Sequence, residues 1–315
     1  MNVLIVGASG NLGSHLTAHL LNRPHYLRLL IHKRHFPFDL AKHANVSIVE
    51  GDLDKPDSLL PATKDIECVV HLAGVLFWPR PETFLHRTNT VYVRNIVDAA
   101  LTNGVRKFIL VSFPHVEGET TPDSRATGRL DAHPTSIHAR TRLAAEKYLF
   151  TACEGKGMKA LVLRAGVIYG RDVKLIEAAH RLAKLGLLAV WRKPTWVHLL
   201  ALPDFLRMLE IGIERDGLSG IYNICDNQPI TIQEYLDGIA AHWGYRRPWR
   251  LPSYCFYAAA TLCEGFAVAF HTRTPLTRDM VEMAMTSVVA DTSRMKKEIL
   301  SELSYPTLKE GLAII

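Results

Sequence analysis

Three observations in this sequence predict an α/β fold built on a doubly wound parallel sheet. Short β-branched runs alternate with segments whose apolar residues recur at helical spacing. The chain opens on an apolar strand pattern followed at once by a glycine-rich turn and a helix pattern. With 315 residues, 48% of them hydrophobic, it can bury a large sheet under helices on both faces.

The elements follow in order. Strands are expected over Val3–Val6, Leu27–Ile31, Val46–Val49, Cys68–Leu72, Phe108–Val111 and Ala160–Leu163, with helices over Asn11–Asn22, Val91–Thr102 and Thr141–Ala152. Right-handed crossovers between such strands place a ligand crevice at their carboxyl ends. From about Lys174 helical patterns dominate, over Lys174–Lys184, Asp204–Arg215 and Thr231–Trp243. A short strand at Gly220–Ile224 is expected to return to the sheet edge. The division expected is a binding domain over residues 1–173 and a smaller, mostly helical substrate lobe over 174–315. No Gly/Ser-rich linker separates them, so the lobe should pack directly on the sheet, with the substrate between the two.

The bulk numbers narrow the partners. The net charge of +6 is scattered, except at His32-Lys33-Arg34-His35. That suits an anionic small ligand or an acidic membrane surface and argues against nucleic acid. Five separated cysteines without a C-x-x-C pair argue against a disulfide framework or a zinc site. With no secretory pattern at its start, the chain is expected to be cytoplasmic. Residues 253–270 are apolar except for Glu264, which fits a helix of the second lobe or a peripheral membrane contact.

Gly7-Ala8-Ser9-Gly10-Asn11-Leu12-Gly13 is the strongest local signal. Gly7 permits the tight turn, Gly10 lets backbone amides approach a pyrophosphate, and Gly13 lets helix and strand pack closely. The helix N-terminus adds amide donors and partial positive charge. This is the Rossmann-type dinucleotide turn, and Ser9, Asn11 and Leu12 belong to it. At the end of the second strand, where an acidic residue would select NAD, stand His32, Lys33 and Arg34. A cation pairing a 2′-phosphate contributes about 1.5–3 kcal/mol, so NADP(H) is favoured over NAD(H).

From here the sequence resembles the extended short-chain dehydrogenase/reductase family over nearly its whole length. The likeness is carried by Gly51-Asp52-Leu53, His71-Leu72-Ala73-Gly74, Asn89 with Asn95–Ala100, Arg164–Gly170 and Ile221–Ile224. Thr274–Arg278 and Val289–Arg294 narrow it to the 3β-hydroxysteroid dehydrogenase-like branch. The resemblance implies cofactor contacts at Asp52, Leu53, Leu72, Ala73, Gly74, Asn89, Gly166 and Val167, an apolar alcohol or ketone as substrate, and a homodimer.

The family's catalytic Ser, Tyr and Lys are replaced. Ala145-Glu146 fixes a helix register that puts Arg142 in the Lys slot and His138 in the Tyr slot, while Phe113 occupies the Ser slot beside Ser112. Two readings follow. One is an atypical NAD(P)-dependent oxidoreductase, in which His138 moves the proton, Arg142 holds ribose or phosphate, and Ser112 or His115 polarises the substrate oxygen. The other is a non-catalytic dinucleotide sensor, scaffold or carrier of an apolar ligand. The 15 histidines lack neighbouring acidic or cysteine ligands, so no metal is expected. Trp191, Trp196, Trp243 and Trp249 are candidates for an apolar pocket or for plain core packing.

Overall fold

The computed structural model describes residues 1–32, 36, 40, 43–75 and 78–315. Of the expected cofactor contacts, Lys33 and Arg34 fall outside the described residues. Seven parallel strands form the central sheet: β1 (Asn2–Val6), β2 (Tyr26–Ile31), β3 (Val46–Glu50), β4 (Cys68–His71), β5 (Lys107–Ser112), β6 (Lys159–Ala165) and β11 (Gly220–Ile224). Their spatial order is β11-β6-β5-β4-β1-β2-β3. The sequence order reverses between β1 and β4, which opens a crevice above their carboxyl ends. Gly220–Ile224 returns to the sheet edge, pairing with β6.

The two faces bury separate cores. On one, β1, β4 and β5 residues such as Val6, Val69 and Leu110 pack under α3 (Tyr92–Thr102) and α4 (Ile137–Cys153), with α2 (Leu60–Thr63) beside them. On the other, Val3, Ile5 and Leu163 pack under α1 (Asn11–Leu20) and α6 (Leu202–Glu214). This second core continues without a break into Tyr169, Leu188, Tyr235 and Met295 of the later chain. A shared core explains why no linker is needed between the lobes.

The remaining elements lie outside the central sheet. The strand pair β7 (Val167–Tyr169) and β10 (Leu199–Ala201), the pair β8 (Ala189–Trp191) and β13 (Trp249–Leu251), and the pair β9 (Trp196–Val197) and β12 (Ile230–Thr231) are short. Helices α5 (Lys174–Lys184), α7 (Ile232–His242), α8 (Ser253–Phe270), α9 (Arg278–Met285), α10 (Ser293–Glu298) and α11 (Leu308–Gly311) surround them. Thr231 and Glu234 cap α7 reciprocally, which fixes its start one residue after the expected one. Helix α4 begins four residues earlier than its apolar spacing suggests, because Ser136 caps it and draws His138 into its first turn.

Candidate functional site

The glycine turn closes the crevice floor. Gly7 adopts φ +90°, and a Cβ there would lie 2.7 Å from the Ala73 nitrogen at the end of β4. A Cβ at Gly13 would lie 2.1 Å from the Gly7 carbonyl oxygen, so only glycine lets α1 start this close to β1. Gly10 caps α1 without a side-chain hydrogen bond, and no acidic residue sits in the first turn. The first amides of α1 are thus directed into the crevice, as a pyrophosphate requires. The Asn11 side chain is used differently. Its amide donates to the Asp172 carbonyl at 2.8 Å and its oxygen accepts from the Lys174 amide at 3.1 Å, tying α1 to the segment before α5.

On the adenosine side, His32 Nε2 lies 3.6 Å from an Asp52 carboxylate oxygen. The Leu53 carbonyl accepts from the Asn95 amide at 2.8 Å, which pins this turn to α3. Leu72, Ala73 and Gly74 follow β4, with the Leu72 amide donating to Val6 at 2.9 Å. Asn89 departs from its expected role. It is buried in a π-helical turn (His86–Val91) and donates to Thr141 Oγ1 at 3.0 Å, so its Nδ2 is committed to α4.

Arg142 reaches the other side of the same turn. Its Nη2 is 3.5 Å from the position of a Cβ on Gly74, and its Nε and Nη1 are buried with no hydrogen-bond partner. Burial lowers its pKa to about 10, opposed by nearby Glu146, and it stays charged at neutral pH. His71 below it is held neutral, its pKa lowered to about 3 by burial and then by the Arg142 charge. A buried cation with two idle donors beside a glycine turn fits a ribose or phosphate partner. The glycine cradle and this guanidinium together fit a dinucleotide.

His138 stands one helical turn before Arg142. Its Nδ1 is 3.2 Å from Asp279 Oδ2, a carboxylate carried by α9. Asp279 Oδ1 also accepts from the Ile137 amide at 2.8 Å and the Ser136 hydroxyl at 3.2 Å. Burial opposes ionisation of Asp279, but the His138 ring and these donors outweigh it and hold its pKa low. An acceptor-only carboxylate makes Nδ1 the donor and leaves Nε2 as the nitrogen able to exchange a proton. Sequence reasoning missed Asp279. It lies 141 residues from its partner, and its one signal is a lone acid just beyond Thr277-Arg278.

Ser112 does not serve the role expected of it. Its hydroxyl donates to Glu146 Oε1 at 2.5 Å, within a buried network in which Arg164 pairs with Glu146 and Glu117 at 2.6 Å each. With its single proton committed there, it has none to offer a substrate oxygen. Phe113 packs with Val116, Ala132 and Leu143. His115, edge-on to Phe113 at 5.8 Å, is held neutral, its pKa lowered to about 4 by burial. Gly166 and Val167 cross above β6, where the Gly166 amide donates to Ile224 at 3.0 Å and the Val167 amide to His198 at 2.8 Å. Trp191 is buried, Trp243 packs on His180, and Trp249 is half exposed. No group of three metal-ligating side chains occurs among the described residues.

The pattern of the NAD dependent epimerase/dehydratase family matches residues 3–206. The 2-alkyl-3-oxoalkanoate reductase of Stenotrophomonas maltophilia is 24% identical over 304 residues, covering 91% of this chain and 90% of that one. A 3-beta-hydroxysteroid dehydrogenase of Mycolicibacterium neoaurum is 24% identical, covering 78% and 71% respectively. For a trifunctional UDP-glucose 4,6-dehydratase of Arabidopsis thaliana, 26% identical, the matched stretch covers 71% of this chain but spans only 36% of that longer one. Among solved structures, MoeE5 in complex with UDP-glucuronic acid and NAD superposes with a TM-score of 0.77 at 21% identity, covering 100% of this chain and 97% of that one.

Proposed function

The chain belongs to the NAD dependent epimerase/dehydratase family, and on that premise we propose that it is an NAD(P)(H)-dependent oxidoreductase in which His138, held by Asp279, carries the proton. The observation that supports this most directly is the 3.2 Å contact between His138 and a carboxylate from the other lobe. When bound, the dinucleotide supplies the hydride donor or acceptor. The chain does the rest. The turn from Gly7 to Gly13 holds the pyrophosphate, and Arg142 donates to the ribose. Asp279 fixes the His138 ring so that Nε2 gives or takes the proton of the substrate oxygen. The preference for NADP(H) rests on Lys33 and Arg34 and is part of the same reading.

The substrate proposed is an apolar alcohol or ketone of lipid or sterol type. It is supported by the near-full-length likeness to a reductase of 2-alkyl-3-oxoalkanoates and by the likeness to a 3-beta-hydroxysteroid dehydrogenase. The test is oxidation of NADPH or NADH with branched 3-oxoalkanoates and 3-oxosteroids, in wild type, His138→Phe and Asp279→Asn. His138→Phe should abolish turnover with dinucleotide affinity unchanged, and Asp279→Asn should lower kcat about 100-fold. Full activity in His138→Phe would remove His138 from the mechanism.

A second reading has its own observation. With Phe113 in the serine slot and the Ser112 proton bound to Glu146, no hydroxyl there holds a substrate oxygen. That favours a dinucleotide-binding sensor or carrier. NADPH binding by tryptophan energy transfer, with no turnover of either substrate class, is the result that would select it.

A further inference from the structure

One face of the second lobe combines exposed apolar residues with an excess of basic over acidic residues. Along α8, Tyr254, Leu262, Phe266 and Phe270 point outward with 60–75% exposure, four residues or a multiple of four apart. Leu185 and Leu187 are 69% and 62% exposed, and they join the same face through the β8–β13 pair. Trp249 links them, its indole donating to the Gly186 carbonyl at 3.0 Å. Across the start of α8, Trp191 meets Phe256 edge-on at 5.6 Å.

The charge of this face is predominantly positive. The sequence has no Asp or Glu between Glu177 and Asp204, nor between Asp237 and Glu264. Those two stretches carry Arg181, Lys184, Arg192, Lys193, Arg246, Arg247 and Arg250, of which Arg181 pairs with Glu177, and Arg247 and Arg250 with Asp237. Arg246 stacks 4.0 Å over the Trp249 ring, placing a guanidinium at the edge of the apolar surface. The one acid on α8, Glu264, points inward and accepts from Arg278 Nε at 2.8 Å and from the Arg278 amide at 3.0 Å.

We propose that this face docks on an anionic lipid bilayer, with α8 lying in the interface. Its 18 residues span only about 27 Å, and its inner side is fastened to α9 through Glu264, so the helix rests on the membrane and does not cross it. Exposed aromatic and leucine side chains enter the headgroup boundary while the basic rim meets the lipid phosphates. A second copy of the chain is a poor occupant, because two basic rims would then face each other. The surface has a functional consequence that rests on the proposed reaction. Helix α9 joins α8 to Asp279 and His138, so docking would bring the proton-transfer pair to within about one helix diameter of the bilayer that holds an apolar substrate.

Vesicle flotation tests the docking without cofactor or substrate, so a missing enzymatic activity would not obscure the result. The full chain should float with phosphatidylcholine–phosphatidylglycerol vesicles and about tenfold less with phosphatidylcholine alone or in high salt. Leu262→Glu with Phe266→Glu, both at exposed positions, should keep the thermal stability of the wild type and lose binding about tenfold. Lys184→Glu with Lys193→Glu should weaken binding to the anionic vesicles only. No flotation of the wild type, or undiminished flotation of Leu262→Glu/Phe266→Glu, overturns the proposal. So does a dimer that this double variant dissociates in the absence of flotation, since a second copy would then cover the face.

Discussion

At the scale of single residues, Arg142 gives two opposite signs that can be measured together. A guanidinium buried with two donors unpartnered is a cost to the free protein. The same donors are a gain once ribose or phosphate reaches them. Arg142→Met keeps the volume and removes the charge. It should raise the Tm of the free protein while weakening NAD(P)H binding by about 10–100-fold, the loss of a charged hydrogen bond worth about 1.5–3 kcal/mol. A purely structural arginine would give a lower Tm and unaltered binding. Isothermal titration and a thermal melt on the one variant decide the matter. Arg164 is a contrasting case. Its charge is as deeply buried, but Glu117, Glu146 and the Arg129 carbonyl use its donors, so it holds the network that locks Ser112 and carries no site of its own.

At the scale of elements, the β1–turn–α1 unit shows how far a sequence pattern reaches. The glycine spacing and the strand–turn–helix context were readable without coordinates, because each glycine answers a local steric demand. Gly13→Ala would place a methyl group 2.1 Å from the Gly7 oxygen, so α1 must move away from β1. The variant should lose about 1–3 kcal/mol of stability and its dinucleotide binding together, read by a denaturant melt and a fluorescence titration. Strand positions were legible for the same reason: buried parallel strands are short and β-branched, and the observed ends differ from the expected ones by a residue or two. What escaped the sequence were side chains whose partners come from far away. Asn89 matches a cofactor-facing pattern, yet it is taken by Thr141 on α4. Ser112 sits one residue from the expected slot, yet Glu146 takes its proton. Asp279 becomes visible only when α9 is laid against the start of α4.

At the scale of the whole molecule, buried histidines and one buried carboxylic acid set where the fold is most stable. Burial lowers the pKa of His71 to about 3 and those of His115 and His198 to about 4, against an ordinary 6.5. Below pH 6.5 the unfolded chain binds protons that these folded histidines refuse. Each therefore adds about 1.4 kcal/mol of stability per pH unit as pH rises toward that value. Asp226 acts in the opposite direction. Burial, with one carboxylate oxygen lacking any partner, raises its pKa from 3.8 to about 8. The folded state keeps that proton where the unfolded chain has released it, so stability falls with pH between those limits at the same slope. Between about pH 4 and 6.5 the histidine gains outweigh the Asp226 loss, and above 6.5 that loss continues without them, which places the maximum near pH 6.5. His198 and Asp226 occupy the joint between the lobes, where the His198 carbonyl accepts from Val167 and its Nδ1 from the Ala290 amide. Acid unfolding should therefore begin by loosening the second lobe from the sheet. Thermal melts from about pH 5 to 9 should show wild-type stability peaking near 6.5 and falling by about 2 kcal/mol toward pH 8. In Asp226→Asn the fall above 6.5 should vanish while the acid limb remains. A wild-type curve that is flat from 6.5 to 8 would show that Asp226 ionises without cost and that the joint is open to water.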